Sequence, residues 1–368
     1  MNTPTTVDAA APVSARLSTL DRFLPVWIIA AMILGLLLGR LVPGIGRIVD
    51  SVKVAEVSLP IAVGLLVMMY PVLAKVRYNE TGHVLADKKL MITSLLINWL
   101  AAPAFMFALA WIFLPDLPEY RTGLIIVGLA RCIAMVLIWN DLACGDREAA
   151  AVLVAINSVF QVLAFGLLGW FYLQWLPSLL GLPTTSSGFS LWTITLSVLV
   201  FLGIPLIAGC LTRTIGERTK GREWYEGRFL PRIGPWALYG LLFTIVVLFA
   251  LQGDEITSNP LNVARIALPL LVYFVVVFAI GMITGRVLNL GYEKTTTLAF
   301  TAAGNNFELA IAVAIGTYGV ASGQALAGVV GPLIEVPILV ALVYVALWSR
   351  APFFPNQLTT TDPEAHHA

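Results

Sequence analysis

The chain has 368 residues, 59% of them hydrophobic and only 12% charged, with a mean hydropathy of +0.88. Soluble domains carry roughly a quarter charged residues, so this composition excludes an ordinary water-soluble class and points to an all-α integral membrane protein. A formal net charge of +1 supplies no whole-chain field that would draw nucleic acid, and no nucleic-acid partner is expected.

Residues 1–22 are polar and rich in Pro, Ala and Thr. The apolar run behind them reaches spanning length with no A-x-A-like site after it, so 1–22 reads as a tail rather than a cleaved signal peptide. A crossing needs roughly 20 apolar residues. Ten runs meet that need, at about 24–42, 56–74, 90–114, 121–143, 148–176, 190–211, 232–251, 263–289, 294–317 and 323–348. With the N-terminus in the cytoplasm, 16 of the 22 Lys and Arg fall inside, 5 fall outside, and Arg131 stays within the fourth run. The positive-inside bias therefore puts both termini in the cytoplasm. Residues 177–189 then form a periplasmic linker, and 350–368 form a cytoplasmic tail, expected to be disordered. The segment "TRTIGERTKGREWYEGRFLPR" (212–232) has the largest basic load and reads as a cytoplasmic loop that fixes topology.

Two phrases recur. "PIAVGLL" (60–66) in the second run resembles "PWALYGLL" (235–242) in the seventh, about 175 positions on, and at nearly that offset "AVLVAINSVFQ" (151–161) lies over "ALAGVVGPLIE" (325–335). The same shift lays the region around Cys132 beside Asn305, Asn306 and Glu308, and Gln161 over Glu335. Five helices per copy is an odd number, so the second copy enters the membrane from the other side. This predicts two inverted five-helix repeats, 23–176 and 190–349.

The fourth run reads "GLARCIAMVLIWNDLACGD" (128–146) and the ninth carries Gly304-Asn305-Asn306 and then Glu308. Asparagine amides compete with the helix ladder, so Gly-Asn-Asn predicts a break. Opened backbone there must be covered by protein or water, because lipid offers no partners. Matching breaks in two halves point to a substrate site between them. Cys144 and Cys210, at the ends of their runs, read as packing residues, whereas Cys132 adjoins a guanidinium and offers a soft sulfur ligand. Glu308 reads either as an ion-pair partner of Arg131 or as a proton relay. Asn157, Gln161 and Glu335 read as hydrogen-bonding support joining the fifth and tenth runs, or as a cation or proton site, and Asp141 reads as lying near the cytoplasmic interface. The cysteines have no CxxC spacing and the three histidines lie outside the apolar runs, so no metal site, cofactor or disulfide framework is expected.

In "GLARCIAMVLIWNDLACGD", "AAGNNFELAIAVAIGTYG" and "GPLIEVP" the chain resembles the ten-helix arsenite permeases, arsenical-resistance exporters related to the bile-acid sodium symporters. The resemblance runs from the first span to the tenth. It implies a panel and a core domain with broken helices four and nine crossing, and proton-coupled efflux of arsenite, in some members also of antimonite, across the inner membrane. It places the family's required cysteine on Cys132 and its required glutamate on Glu308, with Asn305 and Asn306 as partners and Arg131 alongside. Arsenite at neutral pH is mainly the uncharged trihydroxide, whose As(III) favours sulfur. One thiol with several oxygens suits release better than three thiolates. Cys144 cannot join Cys132 along a regular helix, since 12 residues at about 1.5 Å each separate them by roughly 18 Å.

The main alternative is a sodium-coupled organic-anion carrier using Gln161, Glu335 and half-helix N-termini. An intramembrane enzyme with Cys132 as nucleophile lacks a base, since no histidine lies in any span. A passive channel is separated from a carrier by transport against a gradient.

Overall fold

The computed structural model describes residues 23–42, 44, 53–54, 57–76, 87–133, 135–184, 190–258, 260–320 and 322–354. The two tails, as read from the sequence, fall mostly outside these residues. The chain is almost entirely helical: α1 Leu24–Leu41, α2 Leu59–Ala74, α3 Lys88–Phe113, α4 Pro118–Leu129, α5 Met135–Leu142, α6 Arg147–Leu179, α7 Leu191–Lys220, α8 Leu230–Ser258, α9 Pro260–Val287, α10 Tyr292–Ala303, α11 Phe307–Tyr318 and α12 Gly323–Phe353. A two-residue antiparallel pair, β1 Lys53–Val54 and β2 Val57–Ser58, leads into α2. Among the described residues six helices are long and apolar enough to cross a membrane, and Val26–Leu41, Leu59–Ala74 and Phe307–Tyr318 are shorter apolar helices. The protein is an integral membrane protein.

Proline explains a recurring irregularity. Single π turns occupy Ile97–Ala101 in α3, Phe171–Trp175 in α6, Leu199–Gly203 in α7 and Tyr225–Phe229 ahead of α8. Pro103, Pro177, Pro205 and Pro231 each follow such a turn by two residues. A proline ring has no N–H and collides with the carbonyl four residues back, and widening the preceding turn relieves both problems without ending the helix.

The helices pack in two groups. In one, α8 lies against α1 and α2, and α7 lies against α2. Gly35 and Gly39 let α1 approach closely, since an added Cβ would stand 2.6 Å from the Val246 carbonyl oxygen and 2.5 Å from that of Ala250. Such small-residue contacts are the usual means of joining helices where lipid provides no hydrophobic drive. In the other group α9 packs on α10 and α12, α12 on α4 and α11, and α3 on α4. The first turns of α7 bridge the groups by touching α6 and α11.

Three expectations are corrected. Residues 212–232 are not an open loop: α7 runs on to Lys220, turns at Gly221 with φ +84°, and resumes as helix at Arg222–Trp224. A polar helix protruding beyond the apolar stretch looks like a loop to any hydropathy scan. Cys210 accordingly lies inside α7 rather than at a helix end. The ends of α6 and α12, at Leu179 and Phe353, also outrun the spans expected for them.

Candidate functional site

The breaks expected in the fourth and ninth runs are present, between α4 and α5 and between α10 and α11. Both preceding helices stop on an extended residue, Ala130 at ψ 108° and Gly304 at ψ 145°. The two opened strands cross and pair as an isolated antiparallel bridge between Arg131 and Asn305. The Cys132 N–H donates to the Gly304 carbonyl (3.2 Å), and the Asn306 N–H donates to that of Ala130 (2.9 Å).

The remaining two amides are met by side chains from long helices. Gln161 Oε1, on α6, accepts from the Arg131 N–H at 3.0 Å, and Glu335 Oε1, on α12, accepts from the Asn305 N–H at 3.1 Å. An offset of 174 positions relates Arg131 to Asn305, Cys132 to Asn306 and Gln161 to Glu335. Every backbone donor from Arg131 to Cys132 and from Asn305 to Asn306 is thereby satisfied, as a site without lipid partners requires. Each of these side chains holds a break, Gln161 that of α4 and Glu335 that of α10, and no bond between the two is among the described contacts. Gln161 Nε2 donates back to the Asn157 carbonyl at 3.1 Å, and Asn157 Oδ1 accepts from Trp99 Nε1 at 3.1 Å.

The side chains at the crossing reach across it. Asn305 Nδ2 donates to the Val127 carbonyl at 2.6 Å, in the last turn of α4, and Arg131 donates to the Ala302 carbonyl at 3.3 Å, in the last turn of α10. Unpaired carbonyls at a helix C-terminus attract donors and cations, so both contacts fit the local field. Arg131 also donates to Tyr273 Oη (2.7 Å) and, at very short range, to the Gly128 carbonyl. Its guanidinium is fully buried among neutral oxygens, and no ion pair with Glu308 forms among the described residues. The ion-pair reading of Glu308 is thus not the arrangement found.

Cys132 is 3% exposed, and its sulfur packs on Gly304: a Cβ placed there would stand 2.9 Å from Cys132 Cβ and 3.4 Å from Sγ. Glu308 sits in the first turn of α11, half-buried, within electrostatic reach of Glu335. Asn306 caps the same helix, its Oδ1 accepting from the Leu309 N–H at 3.0 Å. Several buried polar atoms here have no protein partner, among them Arg131 Nε, Asn305 Oδ1, Asn306 Nδ2 and Asn157 Nδ2. Unsatisfied polar atoms are costly to bury, which makes the crossing a candidate place for a polar solute. Among the described residues no cluster of His, Cys, Asp or Glu is suited to a metal ion.

One participant escaped sequence reasoning: Tyr273, which meets Arg131, looks like any aromatic residue of an apolar span. Asp141, read as interfacial, is exposed and pairs with Arg147 at 2.7 Å.

Broken helices whose opened backbones cross inside an apolar helical bundle define a membrane transporter rather than an enzyme. Residues 62–259 match the Sodium Bile acid symporter family. The chain is 63% identical to the arsenical-resistance protein Acr3 of Corynebacterium glutamicum, over 94% of this chain and 93% of that one. It is 33% identical to the Acr3 of Alkaliphilus metalliredigens over 91% and 94% of the two chains, and 35% identical to an uncharacterized transporter of Synechocystis over 94% of each. The chain belongs to the sodium bile acid symporter family and, within it, to the Acr3 arsenical-resistance proteins.

Proposed function

We propose that the protein expels arsenite from the cell by proton antiport, with Cys132, Asn305, Asn306, Glu308 and Arg131 forming the substrate site. The observation that carries this reading is the packing of the Cys132 thiol on Gly304, next in the chain to Asn305 and Asn306, whose Oδ1 and Nδ2 atoms are buried without a protein partner. As(OH)3 is neutral, takes sulfur at arsenic and offers hydroxyls to amide and carboxylate groups. Glu308, in the first turn of α11, exchanges a proton from outside for the departing substrate. The arsenical-resistance relatives supply the substrate class, and antimonite, with the same charge and softness, is a second cargo.

Ten spans in two inverted five-helix repeats, 23–176 and 190–349, follow if α4 with α5 and α10 with α11 each make one crossing. The 174-position correspondence of the crossing bonds supports the duplication. The basic loading of one face orients both termini to the cytoplasm and the 177–189 linker to the periplasm, in the inner membrane.

Everted vesicles test the reading. Cys132→Ser and Glu308→Gln should each abolish arsenite accumulation at normal protein levels, and transport retained by either variant refutes the assigned role. The family match itself favours a second reading, sodium-coupled transport of an organic anion. Imposing pH and sodium gradients separately distinguishes the two, since arsenite flux driven by sodium alone contradicts proton coupling.

A further inference from the structure

A cleft of about 330 Å³ opens between α9 and α12, walled by Val275, Phe278, Met282, Ile283, Leu342 and Val345. Its size falls within the roughly 300–1,000 Å³ of ordinary ligand pockets. One end differs from the rest. There the cleft reaches Arg286, Trp348 and Phe353, and Arg286 lies over the Phe353 ring at 4.8 Å. Phe354, also at that end, packs edge-on against Tyr292, and Arg350 lies 5.5 Å from the Tyr292 ring. Arg286 and Arg350 stand in the last turns of α9 and α12; Arg286 lines the cleft, and Arg350 lies over Tyr292, the ring on which the cleft residue Phe354 packs.

We infer that this cleft binds a phospholipid with an anionic headgroup, its acyl chain along the apolar walls and its phosphate between Arg286 and Arg350. A cation in a last helical turn also complements the helix dipole, but that role requires no adjoining cleft. Among the described residues no carboxylate lines the cleft, and neither arginine forms an ion pair. The guanidinium fork matches phosphate geometry, and Trp348, 68% exposed beside it, suits the headgroup level at which tryptophan concentrates. Basic pockets between spanning helices recognise acidic headgroups by this combination of charge and groove.

The full chain, stripped of lipid in detergent, is titrated with phosphatidylglycerol and with phosphatidylcholine of identical acyl chains and followed by native mass spectrometry. Phosphatidylglycerol should be retained more tightly, and Arg286→Gln with Arg350→Gln should weaken it by about fivefold per residue, the equivalent of about 1 kcal/mol per basic side chain at an anionic headgroup. Equal retention of the two lipids, or undiminished phosphatidylglycerol binding by the double variant, overturns the proposal. Should the double variant fail to fold, Val345→Trp decides: it fills the cleft, leaves both arginines and should abolish the headgroup preference, and a preference that survives overturns the site.

Discussion

Substituting Gly304 with alanine strikes the crossing at its tightest point. The added Cβ would meet Cys132 Cβ at 2.9 Å, whereas unstrained carbon contacts lie about 3.5–4.0 Å apart, a shortfall of roughly 0.6–1.1 Å. Rotation about the cysteine side chain cannot relieve it, because a Cβ is fixed to its backbone and that backbone is tied to the Gly304 carbonyl at 3.2 Å. Backbone conformation is not the obstacle, since Gly304 sits at φ −70° and ψ 145°, which alanine adopts freely. The strain must therefore part the two strands. Overpacking of this kind costs about 1–3 kcal/mol, and if the cost falls on the substrate-bound form it weakens binding roughly 5–150-fold. The assay is arsenite uptake by everted vesicles at matched protein levels, read beside maleimide labelling of Cys132. Gly227→Ala is the control, because nothing lies within 4 Å of its added Cβ. Wild-type uptake with unchanged labelling in Gly304→Ala would refute the idea that close packing of these strands sets the thiol's position.

Three further outcomes follow from contacts at and beyond the crossing. Arg131→Lys keeps the charge but cannot span Gly128, Ala302 and Tyr273 together, so it should lose transport as an alanine variant does; Tyr273→Phe removes one bond to a buried cation and should cost about 1.5–3 kcal/mol in thermal or denaturant unfolding. Gln161→Leu strands the Arg131 N–H and should destabilise the protein by about 1–3 kcal/mol, whereas Gln161→Glu supplies the acceptor that Glu335 already provides in the other half; equal yields of monodisperse protein from both would remove Gln161 from the support of the break. In the turn between α3 and α4 the hydrogen bond from Arg265 holds the Asp116 carboxyl down at about 2. A depressed folded value stabilises above the unfolded value of about 3.9 and is lost as pH falls through the folded one. The thermal midpoints of wild type and Asp116→Asn should therefore converge as pH drops from about 4 to about 2, and salt should narrow the gap at neutral pH because the pair is exposed. A gap independent of pH would show that the pair does not contribute.

Much of the architecture could be read from residue pattern, because lipid imposes a demand that hydropathy records directly: apolar length for each helix, and covered polar atoms wherever a helix opens. Gly304-Asn305-Asn306 announced its break through residues unsuited to a helix interior. Arg131-Cys132 announced its own only through a charge where none belongs. What stayed hidden depended on direction. Nothing in the text around Gln161 or Glu335 says that each turns toward a break rather than toward the other, nor that Arg131 finds Tyr273, 142 positions away, in place of Glu308. The helical continuation through Lys220 is hidden for a different reason, since a solvated helix and a solvated loop have the same average polarity.

The two breaks are stitched by main-chain atoms: peptide groups at 130, 132, 304 and 306 satisfy one another whatever side chains they carry. These two main-chain bonds make no demand on side-chain chemistry, so the Cys132 thiol can be exchanged while they hold. The amides are bound more closely to the architecture, since Asn305 reaches the Val127 carbonyl and Asn306 caps α11, which leaves the sulfur position as the one where drift costs the scaffold least.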